Sequence, residues 1–289
     1  MTVREILQQK RPTLSFEVFP PKKESAFDAV RDAALTIAKL QPDFMSVTYG
    51  AGGGTSRYTA EIASMIQKET GTPAIAHLTC VTSKREKVRT VLEEIRAHGI
   101  ENVLALRGDI PEDGHTESDY RYASELIEEI RTHAPALCIG AACYPEGHVE
   151  SASQREDLKH LKNKIDKGVD FITTQMFFDN NRFFHFLYRL RDMGVTTPVL
   201  AGIMPITNAA QIKRAQAMSG AALPRQFTTL LDRYADNAAA MEQAGILYAA
   251  GQIIDLIANH VNGVHIYTMN KPQVAEKLQK EIAPLLPVS

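Results

Sequence analysis

Short runs rich in β-branched and apolar residues recur along the chain at Leu14–Phe19, Phe44–Tyr49, Ala74–Cys80, Asn102–Arg107, Leu137–Tyr144, Val169–Gln175, Pro198–Ile203 and Val264–Met269. They are nearly continuous in apolar character rather than alternating, which is the pattern of strands covered on both faces. Between them the period changes to that of a helix. In Ser83–His98 the apolar residues Val88, Val91, Leu92 and Ile95 share one face, and Ser83 with Glu86 has the spacing of a capping box. Ser151–Lys167 repeats the design, with Leu158, Leu161 and Ile165 on one face and Ser151 and Gln154 as its box. Gly99 and Gly168 stand where C-terminal caps belong.

Alternating strands and helices predict parallel strands joined by crossover helices. Eight such units in 289 residues predict an α/β fold, a (β/α)8 TIM barrel; an open doubly wound sheet is the competing architecture. Between Ala209 and His260 the chain holds more helix than one crossover needs. An extra helix is expected near Arg225–Tyr234, before the last strand. No low-complexity linker divides the chain, so residues 1–289 are read as one domain.

Composition narrows the class. At 44% hydrophobic and 23% charged, the chain is neither disordered nor collagen-like nor a disulfide scaffold. The net charge of −2 offers no basic excess for a nucleic acid and no polybasic patch for an anionic membrane. No apolar run reaches the roughly 18 residues of a membrane span, and Met1–Pro12 lacks the apolar core of a secretory signal. Cys80, Cys138 and Cys143 show neither CxxC nor Cys–His metal spacing. They read as reduced, buried residues of a cytoplasmic protein, with Cys138 and Cys143 on opposite faces of one strand.

In a barrel, chemistry gathers at the C-terminal ends of the strands, and the unusual polar residues of this sequence fall there. They are Glu17, Thr48 and Tyr49, His77, Arg107 and Asp109, Tyr144 with Glu146 and His148, Gln175, and Tyr267. Each alone is equally an internal, satisfied hydrogen-bonder; together, at one relative position, they argue for a shared site. Glu17 is flanked by Phe16 and Phe19, where burial is expected to raise its pKa. The run Gly50-Ala51-Gly52-Gly53-Gly54-Thr55 departs from the dinucleotide fingerprint, because its sixth position is Thr55 and no acidic residue closes the next strand. It reads as a loop that lets a flat ligand approach the backbone. The first strand has no His-x-His for a metal, and no run has an interior Lys for a Schiff base. No metal site is expected; a bound organic cofactor suits these groups.

Six motifs then carry a resemblance: Ser15-Phe16-Glu17-Val18-Phe19-Pro20-Pro21-Lys22, Ser46-Val47-Thr48-Tyr49-Gly50-Ala51, Ala76-His77-Leu78-Thr79-Cys80, Ala105-Leu106-Arg107-Gly108-Asp109, Ala142-Cys143-Tyr144-Pro145-Glu146-Gly147-His148 and Thr174-Gln175-Met176-Phe177-Phe178-Asp179. In this order they closely resemble the bacterial methylenetetrahydrofolate reductases. The resemblance implies an FAD-binding barrel in which NADH or NADPH reduces the flavin. The flavin then reduces methylenetetrahydrofolate to methyltetrahydrofolate for methionine synthesis, the two substrates taking turns in a ping-pong scheme. It implies Glu17 as general acid and Asp109 as a catalytic carboxylate beside the flavin. It implies cofactor contacts at Thr48, Tyr49, Ala51, His77, Arg107, Gly108, Asp109, Tyr122, Ala123, Tyr144, His148, Asp157, His160, Asn163 and Lys164, and substrate contacts at Gln175, Gln211 and Lys271. Asp157 and Lys164 share one helical face, which without the resemblance reads equally as a solvated charged face. His160 and Asn163 differ from better-known members. Ala215 replaces a Phe that stacks on substrate in some members, and Lys271 replaces an Arg, keeping the charge without the planar fork. The chain ends at residue 289, so no regulatory domain responsive to adenosylmethionine is expected. A homo-oligomer is common for such enzymes. A pterin-binding barrel methyltransferase without flavin is the alternative enzyme, and an idle relative that binds folate or a partner protein is the alternative of another class.

Overall fold

The computed structural model describes residues 1–21, 23–49, 56–110 and 117–286. Eight parallel strands close into a barrel: β1 (Thr13–Val18), β2 (Phe44–Val47), β3 (Ala74–Thr79), β4 (Asn102–Leu106), β5 (Cys138–Cys143), β6 (Phe171–Thr174), β7 (Val199–Ile203) and β8 (Gly263–Tyr267). Each strand pairs with the next, and β8 returns to β1 with His265 opposite Ser15 and Tyr267 opposite Glu17. That closure removes the doubly wound alternative. Most strands stop a residue or two short of their apolar runs. Tyr49, Arg107, Tyr144 and Gln175 therefore lie just beyond strand ends, on the loops of the C-terminal mouth.

Strand periodicity sorts the side chains. Leu14, Phe16 and Val18 of β1, Met45 and Val47 of β2, and Val264 and Ile266 of β8 join the main core between barrel and helices. Their alternates point inward. At the N-terminal end the interior is filled by Phe44, Ile75, Leu104, Cys138, Phe171 and Leu200, and helix α1 (Val3–Gln9) plugs that end with Val3, Ile6 and Leu7. A Cβ on Gly140 would overlap the Phe171 ring and Leu104, so this layer is packed without slack. Truncating Phe171 to Ala costs about 3–5 kcal/mol. Above it the interior turns polar, through Ser15, Ser46 and His265 to Glu17, His77 and Tyr267.

Around the barrel run α2 (Phe27–Ala38), α3 (Ser56–Thr70), α4 (Arg85–Ala97), α5 (Ala123–His133), α6 (Gln154–Asp166), α7 (Asn180–Asp192), α8 (Ala210–Ser219), α9 (Arg225–Tyr234), α10 (Ala238–Ala258) and α11 (Pro272–Ile282). The extra helix stands at α9 as expected. Gly99 and Gly168 take φ of 72° and 106° after α4 and α6, the left-handed conformation that glycine adopts freely.

Both capping boxes differ from expectation. The cap of α4 is Lys84, which makes no side-chain capping bond; instead the Arg85 N–H donates to the Asp119 carboxylate at 2.9 Å. Ser83 is buried in the preceding turn, where its carbonyl accepts from Ser118 Oγ. In α6 the capping residue is Ser153, whose Oγ accepts from Glu156 N at 3.2 Å. Ser151 donates to Asp157 Oδ1 at 3.1 Å. At α4 a tertiary partner replaces the local cap, whereas at α6 the local cap forms two residues later than the spacing predicts.

Candidate active site

Glu17 lies inside the barrel near its C-terminal mouth, with 18% of its side chain exposed. Its Oε2 accepts from Ser46 Oγ at 3.1 Å, and lies 3.3 Å from His265 Nε2 and 3.4 Å from His77 Nε2. The other ring nitrogen of His265, Nδ1, sits 2.7 Å from Ser15 Oγ. Strands β1, β2 and β8 thus supply one hydrogen-bonded cluster around a single carboxylate, and β3 brings His77 within ion-pair distance of it. Behind it, Thr268 Oγ1 donates to the Glu17 carbonyl at 2.6 Å, and this fixes the end of β1.

The expected rise in the Glu17 pKa is not what the structure gives. Burial does push the carboxyl upward. The His265 hydrogen bond, the charges of His77 and His265 and the Ser46 hydroxyl outweigh it and hold Glu17 below its ordinary value. The flanking Phe16 turns outward into the core, so sequence neighbours misstate the surroundings. Burial pushes His77 down to about 4 against the pull of Glu17. Among the described residues His77 Nε2 is buried with no hydrogen-bond partner.

Tyr267 crosses the mouth and donates to the Thr174 carbonyl at 2.6 Å. Gly202 makes this crossing possible, since a Cβ there would overlap the Tyr267 ring and hydroxyl. Burial, then the Glu17 charge, raises the Tyr267 hydroxyl well above its ordinary value, so it stays a neutral donor.

Arg107, Gly108 and Asp109 follow β4, with Asp109 exposed and Gly108 at φ 90°. Tyr144 and His148 meet edge to face after β5, with ring centroids 4.6 Å apart. On α6 Asp157 is buried and Lys164 reaches inward, its Nζ donating to the Ala142 carbonyl at 2.5 Å. Burial lowers the Lys164 pKa. These two are therefore not a solvated face, whereas His160 and Asn163 on the same helix are exposed. Thr48 and Tyr49 are half-buried past β2. Tyr122 caps α5 ahead of Ala123 and is 49% exposed under the Arg121 guanidinium. Ala51, with the rest of 50–55, and Lys22 lie outside the described residues.

Gln175 Oε1 accepts from Met176 N at 2.9 Å, which leaves the amide nitrogen as a donor. Gln211 and Lys271 converge on one residue that the sequence reading missed. Thr207 donates its N–H to Gln211 Oε1 at 2.9 Å, and its hydroxyl accepts from Lys271 Nζ at 3.1 Å. Ala215 is buried in an apolar cluster with Met176, Phe178, Met204 and Phe227. Ser15, Ser46 and His265 were also missed. The signal for them was present: Ser15 precedes Glu17 by two, and His265 precedes Tyr267 by two, the spacing of one strand face.

Among the described residues no group of three His, Cys, Asp or Glu is arranged to hold a metal ion, and no helix is long and apolar enough to cross a membrane. The donor set does fit an anionic aromatic cofactor: a buried imidazole at His77 whose Nε2 makes no hydrogen bond, a part-buried ammonium at Lys164, an Arg fork at Arg107 and aromatic rings at Tyr49 and Tyr144.

A closed parallel barrel with a buried acid and a ring of cationic, amide and aromatic groups at its C-terminal mouth defines a TIM-barrel protein with an enzyme-like ligand site. The chain belongs to the methylenetetrahydrofolate reductase family, whose profile matches residues 2–283. It is 34% identical to methylenetetrahydrofolate reductase (NADH) 1 of Arabidopsis thaliana, covering 93% of this chain and 48% of that protein. It is 32% identical to the 5,10-methylenetetrahydrofolate reductase of Escherichia coli, covering 92% and 89%. The chain thus spans about half the length of the plant relative and most of the bacterial one. A solved structure of a Clostridium thermocellum protein that binds two copies of 5-methyl-5,6,7,8-tetrahydrofolic acid superposes with a TM-score of 0.69 over 98% of this chain and 100% of that chain. At 13% identity that likeness is one of fold.

Proposed function

We propose that this chain is a flavin-dependent reductase that converts methylenetetrahydrofolate to methyltetrahydrofolate, with NADH as donor and the two substrates alternating at one site. The observation that carries the reading is the Glu17 carboxyl, set inside the barrel mouth with Ser46, His265 and His77 around one oxygen. Family membership supports it.

FAD, when bound, supplies the two-electron carrier between nicotinamide and folate. His77, Tyr144, Arg107 and Lys164 would hold it, with Asp109 beside it. The protein's own chemical task is proton delivery. Hydride adds to the methylene carbon only after the five-membered folate ring opens to a cationic iminium, and ring opening expels an amine that needs a proton. Glu17 supplies that proton as general acid. In the barrel as described its pKa is held low, yet burial is the largest single influence on both Glu17 and His77. A folate seated over the mouth excludes water and strengthens that influence. The cluster then shifts toward its neutral form, a protonated Glu17 beside neutral imidazoles. Asp109, exposed on the β4 loop, favours the positive charge that develops on the opening ring. Gln175 and the Lys271–Thr207–Gln211 chain orient the folate.

The direct test is purification followed by anaerobic titration. The expected protein is yellow, with flavin near FAD stoichiometry. It bleaches with NADH and regains colour with methylenetetrahydrofolate. Colourless protein that takes up no FAD overturns the reading; yellow protein that NADH does not bleach points to an idle relative.

A further inference from the structure

Glu150 was not among the residues that the sequence singled out, yet it makes a two-pronged ion pair with Arg107 at the mouth. Its two carboxylate oxygens accept from Arg107 Nη1 and Nη2 at 2.6 and 2.8 Å, while Arg107 Nε donates to the Gly108 carbonyl at 3.2 Å. The bridge joins the loop after β4 to the loop after β5. Glu150 N donates to His148 Nδ1 at 3.1 Å, so the acid stands among the residues assigned to the cofactor. The Arg107 side chain is 23% exposed and that of Glu150 51%.

The two ends of this bridge differ in what they can do. An Arg fork is the natural partner of a phosphate, because two parallel N–H groups match two oxygens. Glu150 already fills the end of that fork with both oxygens and cancels its charge. The other full cation assigned to the cofactor, Lys164, is part-buried and held by the Ala142 carbonyl. A diphosphate therefore meets an available cationic fork only by replacing Glu150. The exchange is physically cheap for the acid: half in solvent, its carboxylate swings outward and regains water, and a surface ion pair of this kind is worth little.

Resting on the cofactor reading above, we propose that Glu150 is a competing anion at the Arg107 fork. It gives up the fork when the diphosphate of FAD seats there, and so sets how tightly the chain retains its flavin. This is the opposite of a positioning role, in which Glu150 would hold Arg107 ready and its loss would weaken binding.

The test compares FAD and riboflavin binding, by quenching of flavin fluorescence, in the full-length wild-type chain and in Glu150→Gln. Riboflavin has the same ring system and no phosphate. In Glu150→Gln, FAD should bind about fivefold tighter and with a steeper dependence on salt, while riboflavin affinity stays the same. Glu150→Asp keeps the charge on a shorter arm and should fall between the two, which keeps the test meaningful if the Gln variant folds poorly. FAD affinity that is unchanged or weaker in both variants overturns the inference, as does an equal gain for riboflavin. A wild-type chain that binds neither flavin brings down the cofactor reading and this inference with it. A wild-type chain that binds FAD while the variants gain nothing brings down this inference alone.

Discussion

Glu17 Oε2 and His265 Nε2 lie 3.3 Å apart although 248 residues separate them in the chain. Barrel closure brings β1 beside β8, and strand alternation turns both side chains inward. His265 also faces Ser46 Oγ at 3.2 Å and Ser15 Oγ at 2.7 Å, so its ring is held from both nitrogens. Glu17 is the proposed acid; His265 is the residue that positions it and tunes it.

Glu17→Gln keeps the size and removes the acidic proton. The variant should fold, stay yellow and bleach with NADH at close to the wild-type rate. Its re-oxidation by methylenetetrahydrofolate should slow by about a hundredfold or more. Stopped-flow absorbance resolves the two halves; re-oxidation within a few-fold of wild type removes Glu17 from the mechanism.

His265→Gln takes away the main hydrogen bond and a charge that lower the Glu17 pKa. The Glu17 pKa should therefore rise, and the pH limb of folate-dependent re-oxidation should move upward while bleaching by NADH keeps its profile. A loss that is equal at every pH and in both halves would instead mark His265 as structural support.

His77 gives a stability prediction with a definite sign. Its folded pKa is pushed from 6.5 to about 4, so between these values the unfolded chain binds the extra proton. Stability should fall as pH drops from 6.5 toward 4 and level off below that window. His77→Gln should flatten this part of the curve, as read from urea midpoints across pH. Glu17, whose pKa is also lowered, acts below its unfolded value of 4.5, which separates the two contributions. An unaltered slope in the variant removes His77 as its source.

Asp109 places negative charge beside the proposed flavin and disfavours added electrons there. Asp109→Asn should raise the flavin reduction potential, slow re-oxidation by folate and spare or speed bleaching by NADH. Potentiometric titration with the two half-reactions decides it; equal loss in both halves would indicate a structural role for the loop.

Lys164→Ala removes a part-buried ammonium that donates to the Ala142 carbonyl. FAD should dissociate more readily on dilution, and added FAD should raise the melting temperature less than in wild type. Unchanged FAD affinity would reduce Lys164 to a prop between α6 and β5.

What the sequence determined by itself was set by local, periodic information. Continuous apolar runs such as Ala74–Cys80 announced strands covered on both faces, and the helical stripe of Val88, Val91, Leu92 and Ile95 announced a helix packed outside them. Repeated eight times, the pattern allowed the barrel, and the polar residues near seven of the eight strand ends marked the mouth. The six ordered motifs carried the family. Tertiary structure decided what depends on residues far apart in the chain. The cap of α4 comes from Asp119 across a loop rather than from Ser83. The fork of Arg107 is taken by Glu150 of the next loop. The Glu17 carboxyl is lowered, not raised, because its electrostatic surroundings are His265, Ser46 and His77 from three other strands, while the adjacent Phe16 points away. A carboxylate's proton affinity depends on charges and donors within a few ångströms, and in a closed barrel those neighbours are chosen by strand order and register rather than by position along the sequence.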